Sequence, residues 1–164
     1  MAYIFDLDQT IVDSSMAEEY RKKREWQTVF SLISQFHVYE EIYDIFEILH
    51  TKNEKICVVT SSPKNYCDSV LRHLGIKVNG TVCYHDTIRH KPYPDPILKA
   101  IDLLEEVPQN IVSIGDADND VLASNAAGVI SCLALWGRQK GKNSAFADYT
   151  FESVSDLKKF ILHR

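Results

Sequence analysis

The sequence predicts an α/β protein with a doubly wound parallel sheet, and three observations lead to this prediction. Short apolar segments, which are typical of strands, alternate along the chain with longer segments of helical period. The segments at residues 55–60, 111–115 and 129–135 are almost continuously hydrophobic, as expected of strands covered on both faces. The 164 residues, 45% of them hydrophobic, suffice for one domain with its own core. Strands that alternate with helices favour a parallel sheet with helical crossovers.

The helices are predicted from apolar periodicity and from the residues that begin or end them. The first predicted helix contains neither glycine nor proline, and the second carries an apolar stripe of helical spacing. Later helices have Pro96 in a first turn, Asp118 as an N-cap, and Gly75 or Gly128 directly after the last turn. Helices are predicted at residues 14–36, 39–50, 65–74, 95–104, 118–127 and 155–162. Strands are predicted at residues 3–5, 55–60, 81–84, 111–115, 129–135 and 149–151.

Charge, cysteine content and hydropathy argue against several classes of protein. The formal net charge of −5 disfavours broad binding to nucleic-acid phosphates. No segment approaches 18 apolar residues, and the N-terminus lacks the basic and apolar regions of a signal peptide. The four cysteines form no CxxC pair, which favours reduced thiols over disulfides or a zinc site. These observations predict a cytoplasmic protein without a membrane span.

Polar residues follow three of the predicted strands, and a lysine lies in a loop before a helix. Because the carboxyl ends of parallel strands meet at one edge of the sheet, we expect these side chains to converge. The set comprises Asp6, Asp8, Thr60, Ser61, Lys91, Asp116 and Asp120.

The chemistry of this set points to a phosphoryl group and a divalent cation. Carboxylates that lie close together repel one another unless a cation sits between them, and oxygen ligands favour Mg²⁺. A hydroxyl, backbone N–H groups and a lysine can cradle a phosphoryl group. A carboxylate in line with phosphorus can form an aspartyl-phosphate, and a second can protonate the leaving oxygen.

The order and spacing of these residues resemble the haloacid dehalogenase (HAD) superfamily, specifically its phosphatases. That family has the pattern hhhhDxDxT, then hhhh[ST], then Lys, then hhhhGDxxxD, where h is hydrophobic. The matching residues here are Tyr3-Ile4-Phe5-Asp6-Leu7-Asp8-Gln9-Thr10, Val58-Val59-Thr60, Lys91, and residues 111–116 with Asp120. The run Lys91-Pro92-Tyr93-Pro94-Asp95-Pro96 is similar to a loop of the phosphoglycolate-phosphatase-like branch.

The resemblance implies catalytic roles for particular residues. Asp6 is expected to be the nucleophile and Asp8 the general acid and base. Thr60 and Ser61 are expected to bind phosphoryl oxygens, and Lys91 to neutralise phosphate charge and hold Asp6. Since Asp8 separates phosphatases of this family from dehalogenases, cleavage of a carbon–halogen bond is disfavoured.

The resemblance also implies a magnesium site. Asp6, the backbone carbonyl of Asp8, and Asp116 are the expected ligands of Mg²⁺. Asp120 is expected to bind the metal through water or to orient Lys91.

A Rossmann-like HAD core interrupted by a small helical cap is the fold that the resemblance implies. Because few residues separate Asp6 from Thr60, the cap is assigned to residues 14–36, called the insertion below, and the core to residues 1–13 and 37–164. Residues 21–26 of the insertion are strongly basic and end in a tryptophan. Such a run either recognises a leaving group or forms a solvated face paired with neighbouring glutamates, and we favour the solvated face.

Gln9 departs from the family pattern, because glycine is most often found at that position. Its side chain either narrows the entrance to the site or contacts the leaving group, or the residue is merely compatible with a turn at this position. Residues 137–144 are similar to a phosphate-binding P-loop, but their spacing is wrong and a surface loop is expected instead.

The predicted function is Mg²⁺-dependent hydrolysis of a small organic phosphomonoester such as phosphoglycolate, a sugar phosphate or a nucleotide. The expected assembly is a monomer or homodimer, and neither a membrane nor a nucleic acid is an expected partner. A phosphomutase of the same fold and a non-catalytic phosphate-binding protein remain open alternatives. A response-regulator receiver domain is disfavoured, because its phosphoacceptor follows a middle strand while DxDxT comes first here.

Overall fold

The computed structural model describes residues 1–137 and 146–164. The strands are β1 (Ala2–Phe5), β2 (Val12–Asp13), β3 (His37–Val38), β4 (Lys55–Val59), β5 (Gly80–Val82), β6 (Ile111–Gly115), β7 (Ile130–Ala134) and β8 (Tyr149–Phe151). The helices are α1 (Glu18–Lys22), α2 (Trp26–Leu32), α3 (Ile42–Thr51), α4 (Lys64–Leu74), α5 (Asp95–Leu104), α6 (Asp118–Ala127) and α7 (Val154–Leu162).

The main sheet is parallel and has the strand order β5-β4-β1-β6-β7-β8. Successive side chains of β1 lie in two different hydrophobic cores, one on each face of the sheet. Tyr3 and Phe5 lie in the core that includes apolar residues of α3, α4 and α7, and Ala2 and Ile4 lie in the core that includes residues of α5 and α6. Helices therefore cover both faces of the sheet, and the predicted doubly wound α/β fold is confirmed.

The helix ends follow the sequence signals with one exception. Gly75 and Gly128 directly follow α4 and α6 in the left-handed conformation, with φ angles of +66° and +75°. The assignment of Asp118 as an N-cap is wrong, because Asp118 is the first residue of α6 and Ala117 is the N-cap. Asp120 supplies the capping carboxylate, accepting a hydrogen bond from the Ala117 N–H at 2.9 Å.

The insertion is not the single helix that the absence of glycine and proline predicted. Its chain leaves the helical conformation at Arg24, where φ is +59°, so α1 and α2 are separate short helices. The turn places Trp26 against the ring of Tyr66, with centroids 5.7 Å apart, and this burial favours the break.

A two-stranded antiparallel ribbon of β2 and β3 lies at the base of the insertion, pairing Asp13 with His37. Each strand has two residues, which is too short to show an alternating pattern in the sequence.

Two further sequence predictions concern short segments. The strand predicted at residues 81–84 lies at Gly80–Val82, and a 3₁₀ turn follows at Tyr84–Asp86. Most of the P-loop-like segment at residues 137–144 lies outside the described residues. None of the helices in the described ranges has the length and apolar character needed to cross a membrane.

Candidate active site

The predicted site residues line one cavity of about 290 Å³ at the carboxyl end of the sheet. Strand β1 lies between β4 and β6, so the residues that follow these three strands are neighbours. The cavity, called the acidic cavity below, is lined by all the residues that the sequence singled out: Asp6, Asp8, Thr60, Ser61, Lys91, Asp116 and Asp120.

Lys91 is the buried cation of the acidic cavity. Its Nζ donates to Asp6 Oδ1 at 2.7 Å, to Asp120 Oδ1 at 2.5 Å and to the Val59 carbonyl at 3.2 Å. Burial by itself would lower the pKa of Lys91, but the carboxylates of Asp120 and Asp6 outweigh it, so the pKa is raised. The ammonium group therefore stays charged and fixes two acidic side chains, one directly after β1 and one in the first turn of α6.

Asp6, Asp116 and Asp120 form the acidic cluster, with one oxygen of each within 4.8 Å of the others. Burial raises the pKa of Asp6 well above its ordinary value; Lys91 opposes this shift, while Asp120 and Asp116 add to it. Lys91 bonds two of these carboxylates directly, and the hard oxygen donors of the cluster are of the kind that suits Mg²⁺. The donor set thus fits the metal that the sequence predicted.

Both oxygens of Asp120 have partners, since Oδ1 accepts from Lys91 and Oδ2 from the Ala117 N–H. This arrangement favours orientation of Lys91, the second of the two roles expected for Asp120. Gly115 allows the close approach, because a Cβ at that position would lie 2.4 Å from Asp120 Cβ.

The environment of Asp8 was not foreseen from the sequence. Its Oδ1 accepts hydrogen bonds from Ser14 Oγ and from the Tyr66 hydroxyl, both at 2.6 Å, and lies 3.3 Å from Arg21 Nη1. Its Oδ2 accepts from Ser62 Oγ at 3.2 Å. Burial, followed by the charge of Asp8, raises the pKa of Tyr66, so the phenol remains a donor. Ser62 and Tyr66 come from a segment distant in sequence, and no local motif indicates these partners of Asp8.

Thr60 and Ser61 line the acidic cavity as expected. Thr60 is 5% exposed, and its Oγ1 accepts the Ser62 N–H at 3.1 Å. Because that oxygen acts as the acceptor, its hydroxyl proton remains available to an anion.

Gln9 also lines the acidic cavity, in the left-handed conformation with φ of +64°. Glycine adopts that conformation without strain, which agrees with the glycine expected at this position from the family pattern. The Gln9 side chain accepts a hydrogen bond from the Tyr39 hydroxyl at 2.8 Å, which links the turn to the segment after β3.

Some basic residues of the insertion face solvent and others face the site. This corrects the prediction that the basic run forms only a solvated helix face. Lys22 is exposed and pairs with Glu18 and Glu19, as that interpretation requires. Arg21 instead turns inwards, where its side chain is 12% exposed and lines the acidic cavity. Arg24 and Trp26 line a neighbouring pocket together with Arg21.

Comparison with known proteins identifies the family. Residues 15–134 match the family of haloacid dehalogenase-like hydrolases. This chain belongs to the haloacid dehalogenase-like hydrolase family. The matched segment begins after Asp8, so the first HAD motif is additional to it.

Individual HAD relatives include proteins named as phosphatases. The chain is 34% identical over 125 residues to the phosphoglycolate phosphatase of Aquifex aeolicus, covering 75% of this chain and 58% of the relative. It is 29% identical over 123 residues to the pyrophosphatase PpaX of Anoxybacillus flavithermus, covering 73% of this chain and 57% of that protein. The chain therefore matches less than two thirds of the length of these curated relatives.

The HAD fold is also found in solved structures. The crystal structure of CbbY from Rhodobacter sphaeroides in complex with phosphate superposes with a TM-score of 0.84, covering 95% of each chain. The two sequences are 16% identical, so the likeness concerns the fold.

Proposed function

We propose that this chain is a Mg²⁺-dependent phosphomonoester hydrolase that works through a covalent phosphate on Asp6. The observation that carries the proposal is the position of Lys91 Nζ, which bonds both Asp6 and Asp120 at the cavity where Asp8 and Thr60 also lie. A buried nucleophile held by a cation, beside a second carboxylate, is the arrangement that phosphoryl transfer through an aspartyl-phosphate needs.

In the first step, a carboxylate oxygen of Asp6 attacks phosphorus and the bond from phosphorus to the leaving oxygen breaks. Lys91 and the Thr60 hydroxyl stabilise the charge on the phosphoryl oxygens. Bound Mg²⁺, held by Asp6, the Asp8 carbonyl and Asp116, would supply positive charge that keeps the nucleophile ionised and neutralises the phosphate.

Asp8 would donate a proton to the leaving oxygen in the first step. It would then accept a proton from the water that attacks the aspartyl-phosphate, releasing inorganic phosphate and restoring Asp6. Since Oδ1 is contacted by Ser14, Tyr66 and Arg21, whereas Oδ2 accepts the longer bond from Ser62 at 3.2 Å, proton transfer is assigned to Oδ2.

The same proposal assigns residues 14–36 to a small cap and residues 1–13 and 37–164 to the core. The ribbon of β2 and β3, which brings the ends of the insertion together, supports this division. The substrate would be a small phosphorylated metabolite and the chain a monomer or homodimer. Its four cysteines are buried free thiols, in keeping with a reducing cytoplasmic setting.

The test is a panel of phosphorylated metabolites, including phosphoglycolate, pyrophosphate, sugar phosphates and nucleotides. Phosphate release is measured with Mg²⁺ and with EDTA, for the wild type and for Asp6→Asn. Asp102→Asn is the matched control, because it removes an exposed carboxylate of α5 that does not line the acidic cavity.

We expect release that requires Mg²⁺, is lost in Asp6→Asn and persists in Asp102→Asn. Equal release by wild type and Asp6→Asn would refute Asp6 as nucleophile. Transfer of phosphate between positions of a sugar phosphate, with little release to water, would identify a phosphomutase instead.

A further inference from the structure

A second cavity of about 170 Å³, called the side pocket below, adjoins the acidic cavity. It lies between the insertion and the segments that follow β4 and β5. Its lining includes Arg21, Arg24, Trp26, Ser61, Tyr84 and His85. Arg21 and Ser61 line both cavities, so the side pocket is adjacent to the acidic cavity and shares part of its lining.

The size of the side pocket limits what it can hold. Its volume is about 170 Å³. Pockets for whole drug-sized ligands begin at about 300 Å³. The side pocket therefore suits one portion of a substrate, such as a single ring system, rather than a complete ligand.

The aromatic walls of the side pocket are held in place by other rings. Trp26 packs on Tyr66 with centroids 5.7 Å apart. Tyr84 stacks on His90 at 4.0 Å with an interplanar angle of 18°, and its ring meets His85 edge to face at 5.0 Å. Rigid aromatic walls bind flat π-systems at a low entropic cost.

The charges of the side pocket indicate a ring with hydrogen-bond acceptors. The Arg21 guanidinium is engaged by Ser14 and Asp8. Within residues 1–137 and 146–164, the exposed Arg24 guanidinium forms no ion pair and is available to a ligand. An arginine beside aromatic rings can stack on a nucleobase or donate to its oxygen and nitrogen edges, whereas a plain hydrocarbon ring would leave it unused.

We propose that the side pocket receives the base of a nucleoside 5′-monophosphate, whose phosphoryl group is hydrolysed in the acidic cavity. This proposal rests on the phosphatase function above and names its substrate class. The bond from phosphorus to the 5′ oxygen breaks, Asp8 protonates that oxygen, and the nucleoside leaves. A ring on Trp26 and Tyr84 contributes binding that a ring-free phosphate lacks.

The test compares AMP with ribose 5-phosphate, which have the same sugar and the same 5′ phosphoester but differ in the base. The measured quantity is the ratio of their kcat/KM values. We expect the wild type to favour AMP about tenfold or more, since stacking of one base corresponds to that factor. GMP, CMP and UMP show whether the base edges are distinguished.

Variants of Trp26 locate the effect in the side pocket. Trp26→Leu keeps an apolar side chain against Tyr66 without the ring, and it is expected to lower the AMP preference about tenfold. Trp26→Phe should restore most of the preference. His85→Ala, which changes an exposed wall residue of the core, should lower it also. The matched control is Tyr20→Ala, an aromatic residue of the insertion outside both cavities, which should keep the wild-type ratio.

The outcomes separate this proposal from the proposed function. Three results would overturn the side-pocket proposal alone. One is Mg²⁺-dependent phosphate release from ribose 5-phosphate with no preference for AMP; another is a preference for AMP that Trp26→Leu and His85→Ala leave unchanged. The third is pyrophosphate or phosphoglycolate as a better substrate than any nucleotide.

Absence of Mg²⁺-dependent release from every phosphate would count against the proposed function. The side pocket is then tested by calorimetric titration of AMP and ribose 5-phosphate into the Asp6→Asn variant. Tighter binding of AMP that Trp26→Leu abolishes would support the base site without catalysis, and equal binding would refute it.

Discussion

Arg21 Nη1 lies 3.3 Å from Asp8 Oδ1, so a residue of the insertion contacts the proposed general acid and base directly. The same nitrogen donates to Ser14 Oγ at 2.9 Å, and Ser14 in turn donates to Asp8. The insertion thereby contributes to the support of Asp8 in the acidic cavity.

Arg21 is expected to act as a positioning residue for Asp8. Arg21→Ala should lower kcat for ribose 5-phosphate about tenfold or more, because a hydrogen bond to a charged group is worth about 1.5–3 kcal/mol. Arg21→Lys should recover part of the loss, since it restores the charge. The base-free substrate keeps the side pocket out of the measurement.

Lys22→Ala is the matched control for Arg21, because Lys22 is exposed and pairs with Glu18 and Glu19. Its kcat should equal that of the wild type. A normal kcat in Arg21→Ala, in protein that melts at the wild-type temperature, would contradict the positioning role.

Because Asp120 lies against Gly115, the addition of one methyl group at position 115 is expected to have a large effect on activity. Gly115→Ala would place a Cβ 2.4 Å from Asp120 Cβ, so that Asp120 must move away from Lys91 and from the N-terminus of α6. We expect a loss of about 100-fold in kcat, as is found when catalytic groups shift by about 1 Å, together with a lower Tm.

Gly80→Ala provides the comparison, since a Cβ there would be 3.5 Å from its nearest neighbour, Leu103 Cδ1. That is an ordinary contact, and activity should persist. Equal kcat values for the two alanine variants would show that the position of Asp120 is not critical.

Mg²⁺ is expected to stabilise the fold through the acidic cluster. At a concentration about 100 times Kd, a ligand specific for the folded state adds about 2.7 kcal/mol to the free energy of unfolding. Thermal unfolding with and without Mg²⁺ should show a rise in Tm for the wild type and for Asp102→Asn. The rise should be smaller in Asp116→Asn; an undiminished shift in that variant would exclude Asp116 as a ligand.

The raised pKa of Asp6 predicts how the stability of EDTA-treated protein depends on pH. Between the ordinary value of 3.8 and the raised value, the folded chain holds a proton at Asp6 that the unfolded chain has lost. The free energy of unfolding should therefore fall as pH rises through this interval. Urea unfolding at a series of pH values measures the slope.

Asp6→Asn removes the titrating group, so its stability should fall less over the same pH interval. The difference between wild type and variant isolates Asp6 from the other acidic groups. Parallel pH profiles for the two proteins would show that the burial of Asp6 does not have this energetic consequence.

Substitutions of Gln9 can measure how much the left-handed conformation after β1 lowers the free energy of unfolding. Its φ of +64° is tolerated by asparagine but strained for a β-branched residue. Gln9→Val should therefore be less stable than Gln9→Asn by about 1–2 kcal/mol in urea unfolding. Both substitutions shorten the side chain that Tyr39 contacts, so the difference between their free energies of unfolding measures the backbone strain at position 9. Equal free energies of unfolding would mean that the turn relaxes to relieve this strain.

The sequence was sufficient to predict the sheet and the convergence of the acidic cavity because both depend on short local patterns. Asp6 follows an apolar segment, Asp116 follows another, and parallel strands bring such residues to one edge. The break at Arg24 could not be predicted in this way, because the contact that favours it, between Trp26 and Tyr66, joins residues that are distant in sequence. For the same reason the partners of Asp8 left no local signal.

The ribbon at the base of the insertion has a consequence for how such a protein can be altered. With Asp13 paired to His37, the two ends of the inserted segment are already adjacent, so the entropy of closing the loop rises only slowly with its length. A longer segment can therefore be grafted between those two residues at small cost to the stability of the sheet. A chimaera made this way would exchange Arg24 and Trp26 for a new selecting surface, and it would need to keep Ser14 and Arg21, because both contact Asp8.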